Sequence, residues 1–224
     1  MIIVNNLSKY YHNSSGKVVI LDQLNLKVER GEWCSIIGPS GTGKSTLLHC
    51  ISGLLKPDNG EVLFDNTNLY LLNEKERSDF RRRKIGFVFQ DFKLLPYYSV
   101  LDNVILPLIF DYSKKELYER AEQLLLDVGI AEELFHRLPD GLSGGEKQRV
   151  AIVRALIGQP EVLICDEPTG NLDIENRNRM IQLISELNQK GQTIIVVTHD
   201  HEVAVCGNVT YQLRYGRLSS EVLA

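Results

Sequence analysis

The sequence has few of the features that mark several common classes of protein. It contains four cysteines among 224 residues, and Cys34, Cys50, Cys165 and Cys206 are widely scattered with no CxxC pair. That spacing argues against both a zinc site and a disulfide framework, so a reducing, cytoplasmic setting is the simplest interpretation. No apolar run reaches the ~18 residues that a membrane span needs. The N-terminus also lacks the basic region and apolar segment of an export signal.

An excess of positive charge is missing as well. The chain has 25 Lys and Arg residues against 29 Asp and Glu residues, for a net charge of -4, so we expect no nucleic-acid partner. The basic run at residues 81–84 is predicted to be a solvated face rather than a site for nucleic acid or lipid headgroups. With 43% hydrophobic and 24% charged residues, the chain has the composition of a soluble globular protein and the length of one domain.

Short apolar runs predict where the strands lie. The first thirty residues alternate in the manner of an antiparallel sheet, with strand candidates at 2–4, 18–20 and 24–28 and a turn at 13–16. Continuous apolar runs of strand length follow at 33–37, 85–89, 162–165 and 194–197. Such runs suit a parallel sheet that is covered on both faces.

Helical periodicity fills most of the remaining chain. Residues 45–54 have it directly after a glycine-rich loop, and residues 91–158 are mainly helical in pattern. The segment 114–128 is amphipathic, with one apolar face made of Leu117, Ala121, Leu124, Leu125 and Val128. The sequence therefore predicts an α/β core that is interrupted by a helical insert and preceded by a β-sheet flap.

The glycine-rich loop has the pattern G-x-x-x-x-G-K-[ST] of a phosphate-binding loop. It consists of Gly38, Pro39, Ser40, Gly41, Thr42, Gly43, Lys44 and Ser45. A predicted strand precedes it and a predicted helix follows, so backbone N–H groups and the helix N-terminus can surround phosphate oxygens. Lys44 would reach the outer phosphates, and the hydroxyl of Ser45 would bind Mg²⁺.

Polar residues at the ends of three other predicted strands suit the same chemistry. Asp166 closes the strand at 162–165 and is a candidate metal ligand, while the adjacent Glu167 can face the attacking water. Gln90 follows the strand at 85–89, where its amide can contact water or Mg²⁺. His199 follows the strand that ends near residue 198, and its imidazole could donate to the terminal phosphate as charge develops there. A metal pair of His199 and His201 is the less favoured interpretation, because no further ligand cluster is present.

A second glycine pair lies about a hundred residues beyond the phosphate loop. Ser143, Gly144 and Gly145 stand within the run Leu-Ser-Gly-Gly-Glu-Lys-Gln-Arg at 142–149, which opens a predicted helix. A second phosphate-directed helix start in one chain indicates a nucleotide that is held between two copies of the protein.

Together these motifs resemble those of the ATP-binding-cassette ATPases, over essentially the whole chain and in the same order. The matches are Walker A at 38–45, the Q-loop at Gln90, the family signature at 142–146, Walker B at 162–166, the catalytic carboxylate at Glu167, the D-loop at 171–173 and the switch histidine at His199. Tyr11 matches the aromatic that stacks on adenine in these proteins, and Tyr10 is the competing choice.

The resemblance implies a fold, a set of ligands and a dimer. The fold is α/β, with a RecA-like P-loop core, an N-terminal antiparallel β subdomain and a helical signature subdomain, all in one domain over 1–224. The core and β subdomain take 1–90 and 159–224, and the helical subdomain takes 91–158. The implied ATP contacts also include Thr46 and Asp173, and the implied Mg²⁺ ligands are Ser45, Gln90 and Asp166. Catalysis would use Glu167, His199 and Gln90 in a head-to-tail dimer.

The resemblance also implies a membrane partner. The motif at 167–173 is similar to that of cassettes that serve lipoprotein release, macrolide or peptide export, and bacterial cell division. Such a cassette would work at the cytoplasmic face of the membrane and bind a permease subunit. The apolar segment from Phe92 to Tyr98 is the expected docking site, with burial in the helical insert as the alternative. A cell-division cassette that transmits force without transporting a substrate is the alternative function.

Three other classes of protein share part of this pattern. A GTPase or small-molecule kinase would have the phosphate loop but not the signature, and the base-reading motif Asn-Lys-x-Asp is absent. A DNA-repair or translation ATPase of this superfamily would carry two cassettes or a long coiled-coil insertion. A scaffold that binds ATP without turnover is disfavoured because Glu167 and His199 are both present.

Overall fold

Two β-sheets and a group of helices make up the structure, a computed structural model that describes residues 1–14, 16–170 and 172–221. The strands are β1 (Ile2–Asn13), β2 (Gly16–Val28), β3 (Trp33–Ile37), β4 (Asn59–Phe64), β5 (Thr67–Asn68), β6 (Ile85–Val88), β7 (Val162–Asp166), β8 (Thr193–Thr198), β9 (Val209–Arg214) and β10 (Arg217–Glu221). The α-helices are α1 (Lys44–Ile51), α2 (Glu74–Lys84), α3 (Val100–Ile105), α4 (Lys114–Asp127), α5 (Gly144–Leu156), α6 (Ile174–Gln189) and α7 (His201–Ala204).

The larger sheet has the strand order β10-β9-β3-β8-β7-β6. Its neighbouring strands from β9 to β6 run parallel, and β10 pairs antiparallel with β9. Every residue of β3, β7 and β8 is buried, which confirms that their continuous apolar runs are central strands covered on both faces. Because parallel strands end at the same edge of a sheet, the residues that follow β3, β6, β7 and β8 meet there.

The smaller sheet is antiparallel, in the order β2-β1-β4-β5. The three short strands predicted before residue 29 are wrong in number and length, because β1 and β2 have 12 and 13 residues. Register shifts interrupt their pairing, and Asn6 and Gln23 have positive φ angles. Such bulges break the alternation of side chains without ending a strand, so the pattern indicated several short strands. The predicted turn at 13–16 includes Ser15, which lies outside the described residues.

Helices α3, α4 and α5 share a second apolar core that is separate from the one under β3 and α1. The predicted amphipathic helix is α4, and its face is confirmed: Leu117, Ala121 and Leu125 are buried, and Leu124 and Val128 pack beside them. Strand β6 ends at Val88, one residue before the predicted end, so Gln90 lies in the turn beyond it. Within the described residues, no helix combines the length and apolar character that crossing a membrane requires.

Candidate functional site

The glycine-rich loop joins β3 to α1 at the shared edge of the large sheet. Gly43 caps α1 with a φ of 100°, and a Cβ there would lie 2.7 Å from Cγ2 of Ile20. A Cβ on Gly38 would lie 2.5 Å from the backbone oxygen of Leu213. Both positions therefore require glycine, one for its backbone conformation and both for space. The loop packs tightly underneath and is open above, where Pro39, Ser40 and Gly41 are exposed.

Lys44 begins α1 and bends back across this loop. Its ammonium donates to the backbone oxygens of Gly38 at 2.9 Å and Pro39 at 3.1 Å. The same Nζ lies 3.4 Å from Oε1 of Glu167, and both side chains are buried, with 6% and 9% exposed. A buried ammonium beside the backbone N–H groups of a glycine-rich loop is a site for an anion with several oxygens, so the residues present fit a nucleotide phosphate.

Ser45 and Asp166 form a second pair behind the lysine. The hydroxyl of Ser45 donates to Oδ1 of Asp166 at 3.1 Å, which joins the start of α1 to the end of β7. Burial raises the pKa of the Asp166 carboxyl, and the neighbouring charge of Glu167 adds to the effect. A cation at this position would offset the cost of burying the carboxylate, and oxygen donors are the ligands that Mg²⁺ prefers. The donor set therefore fits Mg²⁺.

Gln90 is the predicted metal ligand that no described contact brings to this pair. It is exposed in the turn after β6, and its side chain makes no hydrogen bond within the ranges that the structure describes. Among the described residues, no group of three or more His, Cys, Asp or Glu side chains is arranged to bind a metal ion.

Glu167 lies between Lys44 and His199. Oε2 of its carboxylate contacts Nδ1 of His199, whose side chain is 59% exposed. The backbone N–H of Glu167 donates to the backbone oxygen of Val197 at 2.9 Å. The φ angle of Glu167, 49°, is unusual for a residue other than glycine. Strained backbone of this kind is held in place by its surroundings and is frequent at reactive sites. The carboxylate is thus fixed at the mouth of the phosphate loop, between a cation and an imidazole.

The signature residues start α5 in the helical part of the chain. Ser143 caps the helix in a reciprocal box: its N–H donates to Oε2 of Glu146 at 2.7 Å, and the N–H of Glu146 donates to its Oγ at 3.3 Å. The serine hydroxyl holds the pKa of the Glu146 carboxyl below its usual value. Ser143 and Gly144 are exposed, and Gly145 is buried. No hydrogen bond between described residues joins this helix start to the phosphate loop.

The first turn of α6 packs against the signature helix. Asp173 caps α6 by accepting from the N–H of Asn176 at 2.8 Å. A Cβ on Gly145 would lie 2.3 Å from Oδ1 of Asn176, so the glycine lets the two helices approach. Arg149 also donates to Oδ1 of Asn176 at 3.5 Å. The motif residue Asp173 therefore reaches the signature through Asn176, which the sequence did not single out.

The other predicted nucleotide contacts lie around the loop and on β1. The hydroxyl of Thr42 donates to the oxygen of Pro39 at 2.9 Å, and Thr46 is half-buried in α1. Tyr11 is 47% exposed on β1, and the Lys9 ammonium lies 5.5 Å from its ring centroid, whereas the Lys17 ammonium lies only 3.6 Å from the ring centroid of Tyr10. Tyr11 is therefore the freer of the two rings.

A cavity of about 240 Å³ adjoins the loop and includes residues that the sequence reasoning missed. Its lining is Ile37, Gly38, Pro39, His199, His201, Gln212 and Arg214. Gln212 and Arg214 come from β9, which belongs to no recognisable motif. Only the pairing of β9 with β3 places them beside the loop.

A phosphate loop between a strand and a helix, with a buried lysine and two carboxyl groups at the end of β7, two strands along the same sheet, defines a P-loop nucleotide hydrolase. Within that class the chain belongs to the ABC transporter family, whose model, described as "ABC transporter", matches residues 21–170. It is therefore an ATP-binding and ATP-hydrolysing cassette, and the predicted fold and family are confirmed.

Two curated relatives and one solved structure illustrate the similarity. The chain is 44% identical over 220 residues to the lipoprotein-releasing system ATP-binding protein LolD of Syntrophus aciditrophicus (strain SB), covering 97% of this chain and 98% of that one. It is 41% identical over 221 residues to the macrolide export ATP-binding/permease protein MacB of Bdellovibrio bacteriovorus (strain ATCC 15356 / DSM 50701 / NCIMB 9529 / HD100), covering 99% of this chain and 34% of that protein. A dimeric post-hydrolysis structure of the cassette MJ0796 bound to ADP and Pi superposes with a TM-score of 0.93 at 41% identity, covering 100% of this chain and 99% of that one.

Proposed function

We propose that this chain is the ATPase subunit of a bacterial transporter that exports or extracts lipoproteins, peptides or drugs through a separate permease, at the cytoplasmic face of the membrane. The observation that carries the proposal is the cluster of Lys44, Asp166 and Glu167 at the phosphate loop, together with the exposed helix start at Ser143 and Gly144. The names of the relatives LolD and MacB support the cargo class, because they describe lipoprotein release and macrolide export.

The nucleotide in this proposal is shared between two copies of the chain. Ser143 and Gly144 are exposed at the start of a 13-residue helix, where the N–H groups of the first turn and the helix dipole favour an anion. The phosphate loop of one copy and residues 143–145 of the other would enclose ATP, with the ring of Tyr11 against adenine. The dimeric form of the related cassette MJ0796 supports this arrangement.

Glu167 is the proposed base for hydrolysis. Its carboxylate forms an ion pair with the Lys44 ammonium in the structure. A phosphate bound to the loop would compete with Glu167 for that ammonium. The carboxylate would then accept a hydrogen bond from the attacking water, while His199 holds its other oxygen and donates toward the terminal phosphate. Mg²⁺, held by Ser45, Asp166 and Gln90, would neutralise phosphate charge.

The permease is proposed to dock on the loop from Phe92 to Tyr98. Phe92 and Leu94 pack partly against the core, so the burial alternative holds for them, whereas Tyr97 is 90% exposed. Arg154 on the signature helix donates to the backbone oxygens of Phe92 at 2.5 Å and Lys93 at 2.6 Å. A force on this loop would therefore be passed directly to the helix that contacts the partner's ATP.

Next to this loop lies an apolar groove of about 310 Å³. It is lined by Ser52, Leu54, Ser78, Arg81, Arg82, Ile85, Phe87, Phe89 and Pro107. Its aromatic and aliphatic walls suit the apolar face of a short amphipathic segment. The groove and the loop together form the proposed permease surface.

The decisive experiment for the enzymatic part is Glu167→Gln. We expect ATP binding to persist and turnover to fall by at least ~10²-fold, as loss of a group that acts in the transition state does. ATP should then trap a dimer that size-exclusion chromatography detects. Glu119→Gln, an exposed glutamate on α4, serves as the control. Turnover near the unsubstituted rate would refute the role of Glu167.

Mixed dimers test the shared site. Lys44→Ala and Ser143→Arg should each be inactive alone. A mixture should regain activity, because one of the two sites then has an intact loop and an intact signature. If mixed dimers form and remain silent, the shared-site model is wrong.

Docking is tested with Tyr97→Ala in the cassette reconstituted with a permease subunit that stimulates the unsubstituted cassette. The variant should keep the ATPase rate of the isolated cassette and lose its stimulation by the permease. Tyr215→Ala, which removes a ring that is 96% exposed at the β9–β10 turn, is the matched control. Full stimulation of the Tyr97 variant would place the docking surface elsewhere.

A further inference from the structure

The first turn of α6 contacts two parts of the site at once. Asn176 faces the signature helix, where it packs on Gly145. The next residue, Arg177, faces the loop that carries the switch histidine. Its guanidinium donates to Oδ2 of Asp200 at 3.0 Å and also binds the carboxylate of Glu202. Asn176 and Arg177 therefore link the signature helix α5, which is proposed to contact the partner's ATP, to the loop of His199, which is proposed to contact the ATP of its own chain.

Asp200 is the residue through which Arg177 can act on His199. Its Oδ1 accepts from the N–H of Glu202 at 2.9 Å, and its own N–H donates to Oγ1 of Thr198 at 3.0 Å. His199 lies between Thr198 and Asp200, and its imidazole is largely exposed, with the Glu167 carboxylate as a contact. The position of the ring therefore depends on how firmly its two chain neighbours are held.

The ion pair is well placed for this purpose. The side chains of Arg177 and Asp200 are 23% and 20% exposed, so water screens their attraction less than it screens a surface pair. Nε of Arg177 is buried without a hydrogen-bond partner among the described residues. Burying that donor costs free energy, which the two-pronged contact with Asp200 and Glu202 offsets.

We propose that Arg177 is a positioning residue for His199 and couples the signature helix to the hydrolytic centre of the same chain. The inference rests on the proposed role of His199. Arg177 touches neither ATP nor water in this scheme. It acts by fixing Asp200, and with it the backbone that aims the imidazole at Glu167 and the terminal phosphate.

The test is a double-mutant cycle between Arg177→Met and Asp200→Asn. Asparagine keeps the oxygen that caps α7 and removes only the charge. Each single variant should lower kcat about tenfold, since a small misplacement of a catalytic group has effects of this order or larger. The KM for ATP should stay nearly constant. The double variant should be no slower than either single variant, because both substitutions break the same link.

Three further variants separate the possible failures. Arg177→Lys should recover part of the rate, and Arg179→Met is the control, because Arg179 pairs only with Glu175 on the same helix among the described contacts. If His199→Ala retains full activity, the proposed role of the histidine fails. If His199→Ala is inactive while Arg177→Met and Asp200→Asn retain the unsubstituted kcat, only the positioning role is overturned. The positioning role is also overturned if the reductions in kcat of the two single variants multiply in the double variant. Thermal unfolding measurements identify any variant that loses activity because it does not fold.

Discussion

Asn103 offers a sharp test of how the proposed docking loop is held in shape. The side chain is fully buried at 0% exposure and reaches the loop from α3. Its Oδ1 accepts from the N–H of Leu95 at 2.7 Å. Its amide group donates to the backbone oxygens of Leu95 at 3.1 Å, Tyr98 at 3.0 Å and Ser99 at 3.0 Å. One side chain therefore satisfies four backbone groups of the segment 95–99.

The expected cost of Asn103→Ala follows from this geometry. Two amide hydrogens are shared among three oxygens, so the side chain supplies about three hydrogen bonds, each with a net contribution of ~1 kcal/mol. We therefore expect the free energy of unfolding to fall by about 3 kcal/mol, with a further loss from the cavity. Asn103→Asp should cost at least as much, because it retains the acceptor for Leu95 but places a carboxylate against three carbonyl oxygens.

The assay is urea denaturation of the nucleotide-free protein, followed by circular dichroism. Asn66→Ala, at an exposed turn position, is the control and should change the free energy of unfolding by less than about 0.5 kcal/mol. A loss below about 1 kcal/mol for Asn103→Ala would refute the hydrogen-bond count. An aspartate variant as stable as the wild type would show that the amide does not donate to those oxygens.

Three further predictions concern the phosphate loop and the thiols. Asp166→Asn should abolish hydrolysis and raise the melting temperature of the nucleotide-free protein at pH 7. Burial raises the pKa of Asp166 in the folded protein, so the ionised carboxylate opposes folding at any pH above the pKa of the unfolded chain. That gain should vanish below about pH 4, where the carboxyl is protonated in both states, and a gain that is independent of pH would contradict the assignment. Gly38→Ala should lower stability by ~1–3 kcal/mol in urea unfolding, because its Cβ would lie 2.5 Å from the oxygen of Leu213; an unchanged midpoint would count against that contact. In native protein, iodoacetamide should label Cys206, the exposed thiol, and leave the three buried cysteines intact until denaturant is added, as mass spectrometry can show; native labelling at a buried position would mean that the core opens.

Local features of the site were predictable because their causes lie close together in the sequence. The phosphate loop needs a strand, glycines and a helix start within a dozen residues, and Lys44 and Ser45 follow from that pattern. The helix start in the run 142–149 was predicted in the same way, and its cap joins residues only three positions apart, Ser143 and Glu146. The buried central strands were predicted because their apolar runs have the length of a strand rather than that of a helix.

Contacts between distant segments were not predictable from the same patterns. The bulged strands of the small sheet appeared as several short ones, because a bulge and a strand end disrupt alternation in the same way. Arg177, Asn176 and Gln212 carry no motif, and their partners lie on elements that only the folded chain brings near. The boundaries of the helical subdomain at 91 and 158 and the roles of Gln90 and Tyr11 stay predictions.

The sequence by itself identified the candidate phosphate-binding residues and the family to which the chain belongs, because backbone conformation and short motifs are local properties. The tertiary structure decided which of them work together. The strand order places β8 between β3 and β7, so the ends of these strands bring Lys44 to Glu167, Ser45 to Asp166 and His199 to Glu167. Pairing across a sheet is set by burial and hydrogen bonding over more than a hundred residues of chain, and no local pattern records it.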